Sequence, residues 1–125
     1  RVDHTALLRR NHLGCLTVIY DRGICGSQPM PEDLPRQHDY ALWLRLVRLF
    51  GPAAGLDEDL ALYRVGRGSL SANKLLAARD YWRVLRRHEG LSALPAFAAF
   101  AAYAGFGLRH RLIQRPKRGA GAPPP

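Results

Sequence analysis

The sequence predicts a mixed α/β fold that is rich in helix, and three observations carry that expectation. Leu42, Trp43, Leu46, Val47 and Phe50 recur on one face of a helical repeat. From Leu13 to Tyr20 the side chains alternate as in a strand, with Leu16, Val18 and Tyr20 on one face and Cys15, Thr17 and Ile19 on the other. From Leu91 to Leu108 there is an uncharged run of 18 residues. As a helix that run would be about 27 Å long.

At 125 residues the chain makes one domain at most, with a modest core. Its 47% hydrophobic content is ordinary for a globular protein. The net charge of +9 asks for an anionic partner, whether phosphates, nucleic acid or an acidic membrane surface. Cys15 and Cys25 have no metal-ligand spacing and make no disulfide framework, which reads as reduced thiols in the cytosol. A chain that opens on Arg is read as a fragment or a processed product, without a secretory signal. There is no internal repeat, Ser/His/Asp triad, zinc motif or Walker loop.

In chain order, Asp3 to Arg10 makes a short helix with Asp3 as its cap. The strand from Leu13 to Tyr20 follows, then a turn at Asp21-Arg22-Gly23. Residues 26–37 carry Pro29, Pro31 and Pro35 and form a loop. A helix from His38 to Phe50 is stopped by Gly51-Pro52, with Arg45 and Arg48 off its apolar stripe. Residues 53–59 connect to a second short strand, Leu60 to Val65. Gly66-Arg67-Gly68 is a basic turn, and Ser69 or Ser71 caps a helix from about Ala72 to His88. Its apolar stripe is Leu75, Ala78, Trp82 and Leu85; Arg79, Arg83 and Arg87 run beside it as a solvated face or a basic strip.

In the uncharged run, Phe97, Phe100, Tyr103 and Phe106 step by three, placing aromatics along one side, and Arg109, His110, Arg111, Arg115, Lys117 and Arg118 follow. Residues 93–112 suit a helix lying on an anionic membrane, or one packed against further protein. A transmembrane span is less suited, because alanine and glycine contribute little transfer energy and Pro95 lies near the start. Residues 113–125 form a basic, Gly/Ala/Pro-rich tail expected to be disordered.

Asp39, at the start of the central helix, has two readings. It is an N-cap that accepts orphan backbone N–H groups, or a general base held ionised at the positive end of the helix dipole. His12 and His38 are candidate polar groups near a site, or ordinary surface histidines.

His38-Asp39-Tyr40-Ala41-Leu42-Trp43-Leu44-Arg45 resembles the motif of family 2 glycosyltransferases of the GT-A fold, in which Glu-Asp-Tyr or Gln-Asp-Tyr leads into Leu-Trp-Leu-Arg. Leu62-Tyr63-Arg64-Val65 and Gly68-Ser69-Leu70-Ser71 resemble a second block of that family, and Asn11 to Val18 a weaker third. The blocks cover about residues 5 to 110 in the family's order.

The resemblance implies that residues 1–112 are the helix-rich C-terminal, acceptor-side half of a GT-A-like domain. It implies that Asp39 is the catalytic base of an inverting transfer from a nucleotide sugar to a cell-envelope glycan. His38 then borders the acceptor, and Trp43 is core behind the base-bearing helix or helps floor the acceptor site. Arg64, Arg67 and Ser69, in a Gly-flanked turn ahead of a helix N-terminus that favours phosphate, face the donor diphosphate. A divalent Mg or Mn ion is expected in the longer parent, with ligands outside this chain. The family's N-terminal half and its Asp-x-Asp metal motif have no counterpart here. Asp57-Glu58-Asp59 matches the letters in the wrong place, and Gly66 stands where some relatives carry a metal-contacting His. The chain alone is therefore expected to be inactive, and to sit in the cytoplasm or at the inner face of the plasma membrane. The alternatives are a basic nucleic-acid-binding module, although the aromatics lie apart from the basic residues, and a non-catalytic remnant.

Overall fold

Asp3 opens the first helix, α1 (His4–Arg9), and its carboxylate accepts the Ala6 N–H at 2.7 Å. The fold is known from a computed structural model that describes residues 1–62 and 74–113. Asp21 likewise caps a single turn, α2 (Arg22–Cys25), where the sequence predicts a simple turn. The proline-rich loop delivers the chain to α3 (His38–Phe50), which ends at Gly51 with φ 98°. That left-handed closing residue is why a glycine stands there. Further on, α4 (Lys74–Arg83) widens into a π-helical turn over Val84–His88, and α5 (Ala93–Ile113) follows.

Helix α1 packs on α3 and α5, and α4 packs on α5. Tyr81 of α4 stands at the centre. Its ring stacks on Tyr103 at 4.1 Å and on Tyr40 at 5.5 Å, and lies 6.1 Å from Phe100. Such ring pairs contribute about 0.5–1.5 kcal/mol each beyond the area they bury. The hydroxyls are satisfied as well. Tyr40 donates to the Leu7 carbonyl at 2.8 Å, and Tyr81 donates to the Leu8 carbonyl. Both carbonyls lie in the last turn of α1, where a helix leaves oxygens without an intrahelical partner. Two buried tyrosines thus complete the end of a short helix.

Burial has an alkaline consequence. It pushes the Tyr40 hydroxyl far above its ordinary value and that of Tyr81 up to about 12. Above the ordinary value of 10.0, unfolded tyrosines release protons that the folded ones keep. Stability is therefore full below that pH and falls as pH rises through the folded-state values. With both tyrosines retaining their protons the slope is about 2.7 kcal/mol per pH unit. Urea unfolding midpoints measured from about pH 8 to 11 should be flat at first and then drop; a flat profile throughout would contradict the buried pair.

The predicted strand from Leu13 to Tyr20 does not form, and no strand occurs among the described residues. The alternation is there, but a strand needs a ladder partner. The described residues offer only an isolated antiparallel bridge, Val2 to Ala53. Residues 60–62 are irregular, and the rest of the second predicted strand lies outside the described residues.

Three helix readings are also corrected. Gln37, not Asp39, is the N-cap of α3, and Asp39 sits in the first turn. The buried face of α4 and its π turn is Ala77, Asp80, Tyr81, Val84 and Leu85, while Leu75 is exposed. That face wins because Tyr81 finds a carbonyl for its hydroxyl as well as rings for its face. In α5 the aromatics do not share one side. A step of three falls about 60° short of a turn, so four such residues wind half-way round the helix. Phe100 and Tyr103 pack inward, and Phe97 and Phe106 are exposed.

Candidate functional site

The N-terminus of α3 is held from three directions. Gln37 takes a left-handed conformation, φ 63° and ψ 13°, which turns the loop into the helix; its carbonyl accepts the Ala41 N–H at 2.9 Å. A non-glycine residue there carries about 1–2 kcal/mol of strain. Just before it, Arg36 reaches the Asp80 carboxylate of α4 at 3.5 Å. Just after Asp39, Tyr40 is fully buried and bonded to α1. The Pro-rich loop is pinned too, with Arg45 donating to the Pro29 carbonyl at 2.5 Å and His88 lying 3.2 Å from Asp33.

Within this frame Asp39 is half-buried. One carboxylate oxygen accepts the Tyr40 N–H at 2.8 Å, which fixes the side chain against its own helix end. The other oxygen has no partner among the described residues. A carboxylate at the positive end of a helix, on a backbone tied to two other helices, is placed to accept a proton from a group presented to it. The bond to the Tyr40 N–H and a role as base are compatible, because each uses a different oxygen.

His38 is half-buried beside it, and His12 is exposed. Trp43, one turn further along α3, is only 4% exposed. It lines an apolar groove of about 140 Å³ together with Leu13, Val18, Leu46, Phe50 and Ala53. Its indole N–H is buried without a partner among the described residues. Arg64, Arg67 and Ser69 lie outside the described residues. No ligand set for a divalent ion is present among the described residues: Asp57, Glu58 and Asp59 are exposed in the connector after α3, and no three ligating side chains converge.

Two carboxylates escaped the sequence reading. Asp80 is 1% exposed, between Arg36 and Arg83, the latter at 3.6 Å. The side chain of Glu89 is 2% exposed and takes His4 at 2.7 Å and Arg48 at 3.6 Å. Glu89 thereby joins the end of the π turn to α1 and α3. Its partners are distant in sequence, so no local pattern marks it. For Asp80 the signal was present: it sits three residues before an arginine and next to Tyr81, the fully buried aromatic of α4.

The class of protein this chain is similar to is the glycosyltransferases. One relative is the putative teichuronic acid biosynthesis glycosyltransferase TuaG of Bacillus subtilis (strain 168), 40% identical over 105 residues, which is 84% of this chain and 41% of that protein. Another is the UDP-Glc:alpha-D-GlcNAc-diphosphoundecaprenol beta-1,3-glucosyltransferase WfgD of Escherichia coli, 29% identical over 86 residues, or 68% of this chain and 33% of that protein. The chain thus spans less than half the length of either relative. No family model and no solved structure matches it.

Proposed function

We propose that these residues form the acceptor-side portion of an inverting, GT-A-like family 2 glycosyltransferase acting in cell-envelope polysaccharide synthesis, with Asp39 as the general base. The observation that carries the reading is the half-exposed Asp39 carboxylate on a triply anchored helix end, in a chain 40% identical over 105 residues to a relative named as a glycosyltransferase. In this reading the acceptor hydroxyl lies against Asp39 and gives up its proton as its oxygen attacks the sugar's anomeric carbon. The bond from that carbon to the nucleotide diphosphate breaks on the opposite face. His38 borders the acceptor. Trp43 backs the base-bearing helix from the core and meets the acceptor only at the groove.

Arg64, Arg67 and Ser69 are proposed to receive the donor diphosphate, since a Gly-flanked basic turn ahead of a helix suits phosphate. Changing Arg64 or Arg67 to Ala should weaken donor affinity about tenfold or more, as for loss of one charge-assisted contact. Unchanged affinity in both variants returns the turn to an ordinary loop.

The function is tested by grafting. The 125 residues are placed in the E. coli relative in exchange for the stretch they match. Glucose transfer from UDP-Glc to the lipid-linked acceptor is expected. A folded graft that binds the donor and transfers nothing would reject the reading. The chain without a donor-binding portion is expected to leave nucleotide sugars untouched.

A further inference from the structure

Helix α5 carries no charged residue from Ala93 to Leu108, yet the described fold covers only one of its faces. Ala96, Ala99, Phe100 and Tyr103 point into the core. Leu94, Phe97, Ala98, Ala101, Ala104 and Gly105 share the opposite face, and all are exposed. Leu94 is 81% and Phe97 62% accessible. This uncharged strip is about 17 Å long. An amphipathic surface helix would carry polar residues there. Instead the apolar strip runs to exposed Arg109, and Arg111, Arg115, Lys117 and Arg118 follow in sequence.

The charge decides between a second copy, nucleic acid and lipid. Packing against further protein, the other reading of residues 93–112, would leave the chain with no preference for anionic vesicles, a result that overturns lipid docking. A second copy would bring another +9 to the same place, and like charges oppose that contact. Nucleic acid matches the charge but gains little from leucine, phenylalanine and alanine, which offer no hydrogen bonds to phosphate or base edges. An anionic lipid surface matches both features: apolar side chains enter the boundary between headgroups and acyl chains, and the basic end meets the headgroups. No helix among the described residues is long and apolar enough to cross a membrane, so the fit is to a surface.

We propose that the Leu94–Phe97 face of α5 is a docking surface for anionic phospholipid. The proposal is independent of sugar transfer. It places the arginine-rich end of α5 at the headgroups and leaves the Phe100–Tyr103 side on the protein.

The test is co-sedimentation of the chain with phosphatidylglycerol-containing vesicles, with pure phosphatidylcholine vesicles, and with duplex DNA, at physiological salt. The chain should partition at least tenfold more strongly onto the anionic vesicles than onto the neutral ones. Leu94→Ser with Phe97→Ser should lower that partition at least tenfold with every arginine kept, while helix content is unchanged, because both side chains lie outside the core. Phe106→Ser, on a different side of α5, should leave it within about twofold. Full vesicle binding by the double variant overturns the proposal, as does a wild-type chain that prefers DNA. A concentration-dependent dimer that the double variant abolishes, without wild-type vesicle binding, makes the face a self-interface and overturns it as well. If the double variant loses helix content, the single variants Leu94→Ser and Phe97→Ser decide: each must weaken vesicle binding on its own.

Discussion

Asp39→Asn in the grafted enzyme is expected to lower turnover by at least about 10²-fold, the usual contribution of a positioned base. The substitution changes little else. Asn keeps an oxygen that can accept the Tyr40 N–H, so the first turn of α3 stays pinned as it is by the carboxylate. What disappears is the ability to take a proton at neutral pH. Donor affinity should be nearly unchanged, since the proposed donor groups lie in the Arg64–Ser69 turn. Near-normal turnover would remove Asp39 from the chemistry. An unfolded variant would show instead that the side chain is needed for the helix end alone. Thermal unfolding of the same preparation separates these outcomes.

Tyr81→Ala should have the largest effect on stability. The ring is fully buried, and it is the one side chain that touches Tyr40, Phe100 and Tyr103 together. Truncating a buried aromatic costs about 3–5 kcal/mol, a large share of the whole stability of a small domain. The change also strips the Leu8 carbonyl of its donor at the end of α1. Tyr81→Phe isolates that second part. It keeps the ring and should cost about 1–3 kcal/mol, the range for leaving a buried acceptor unpaired. Urea unfolding of the two variants checks the order. Equal costs would mean that the hydroxyl, and not the aromatic stack, carries the energy.

The parts of this fold that were legible in the sequence are those specified by neighbours in the chain. Asp3 caps α1 three residues from the N–H it binds, and Gly51 closes α3 through its own positive φ. The period of Leu42, Trp43, Leu46 and Val47 marked part of the buried surface of α3, but Phe50 at its end is exposed and Tyr40, Ala41 and Leu44, off that stripe, are buried as well. Strand formation was not legible in this way. Leu13 to Tyr20 alternates as a strand should, but alternation is a property of one segment and a strand is a property of two. In α4, two stripes offered helical spacing, and what chose between them was a carbonyl of α1 far away in sequence.

The site was legible to the same degree. Asp39, His38 and Trp43 lie on the helix the sequence assigns them to, with Asp39 two positions inside the cap residue Gln37. The groups that hold that helix end in place were not visible in the motif: Arg36 with Asp80, and the Tyr40 hydroxyl with Leu7. They join different elements, and only the folded chain brings them together. Arg64, Arg67 and Ser69 are assigned from the sequence alone, because they fall outside the described residues.

The most direct measurement is a single-turnover reaction of the donor-loaded graft with its lipid-linked acceptor, with the anomeric configuration of the product read by proton NMR. The α-linked sugar of UDP-Glc should appear as a β-glycoside, and Asp39→Asn should slow this step at least about 10²-fold with the donor still bound. An α-glycoside, or a step as fast in the variant as in the wild-type graft, would contradict that mechanism.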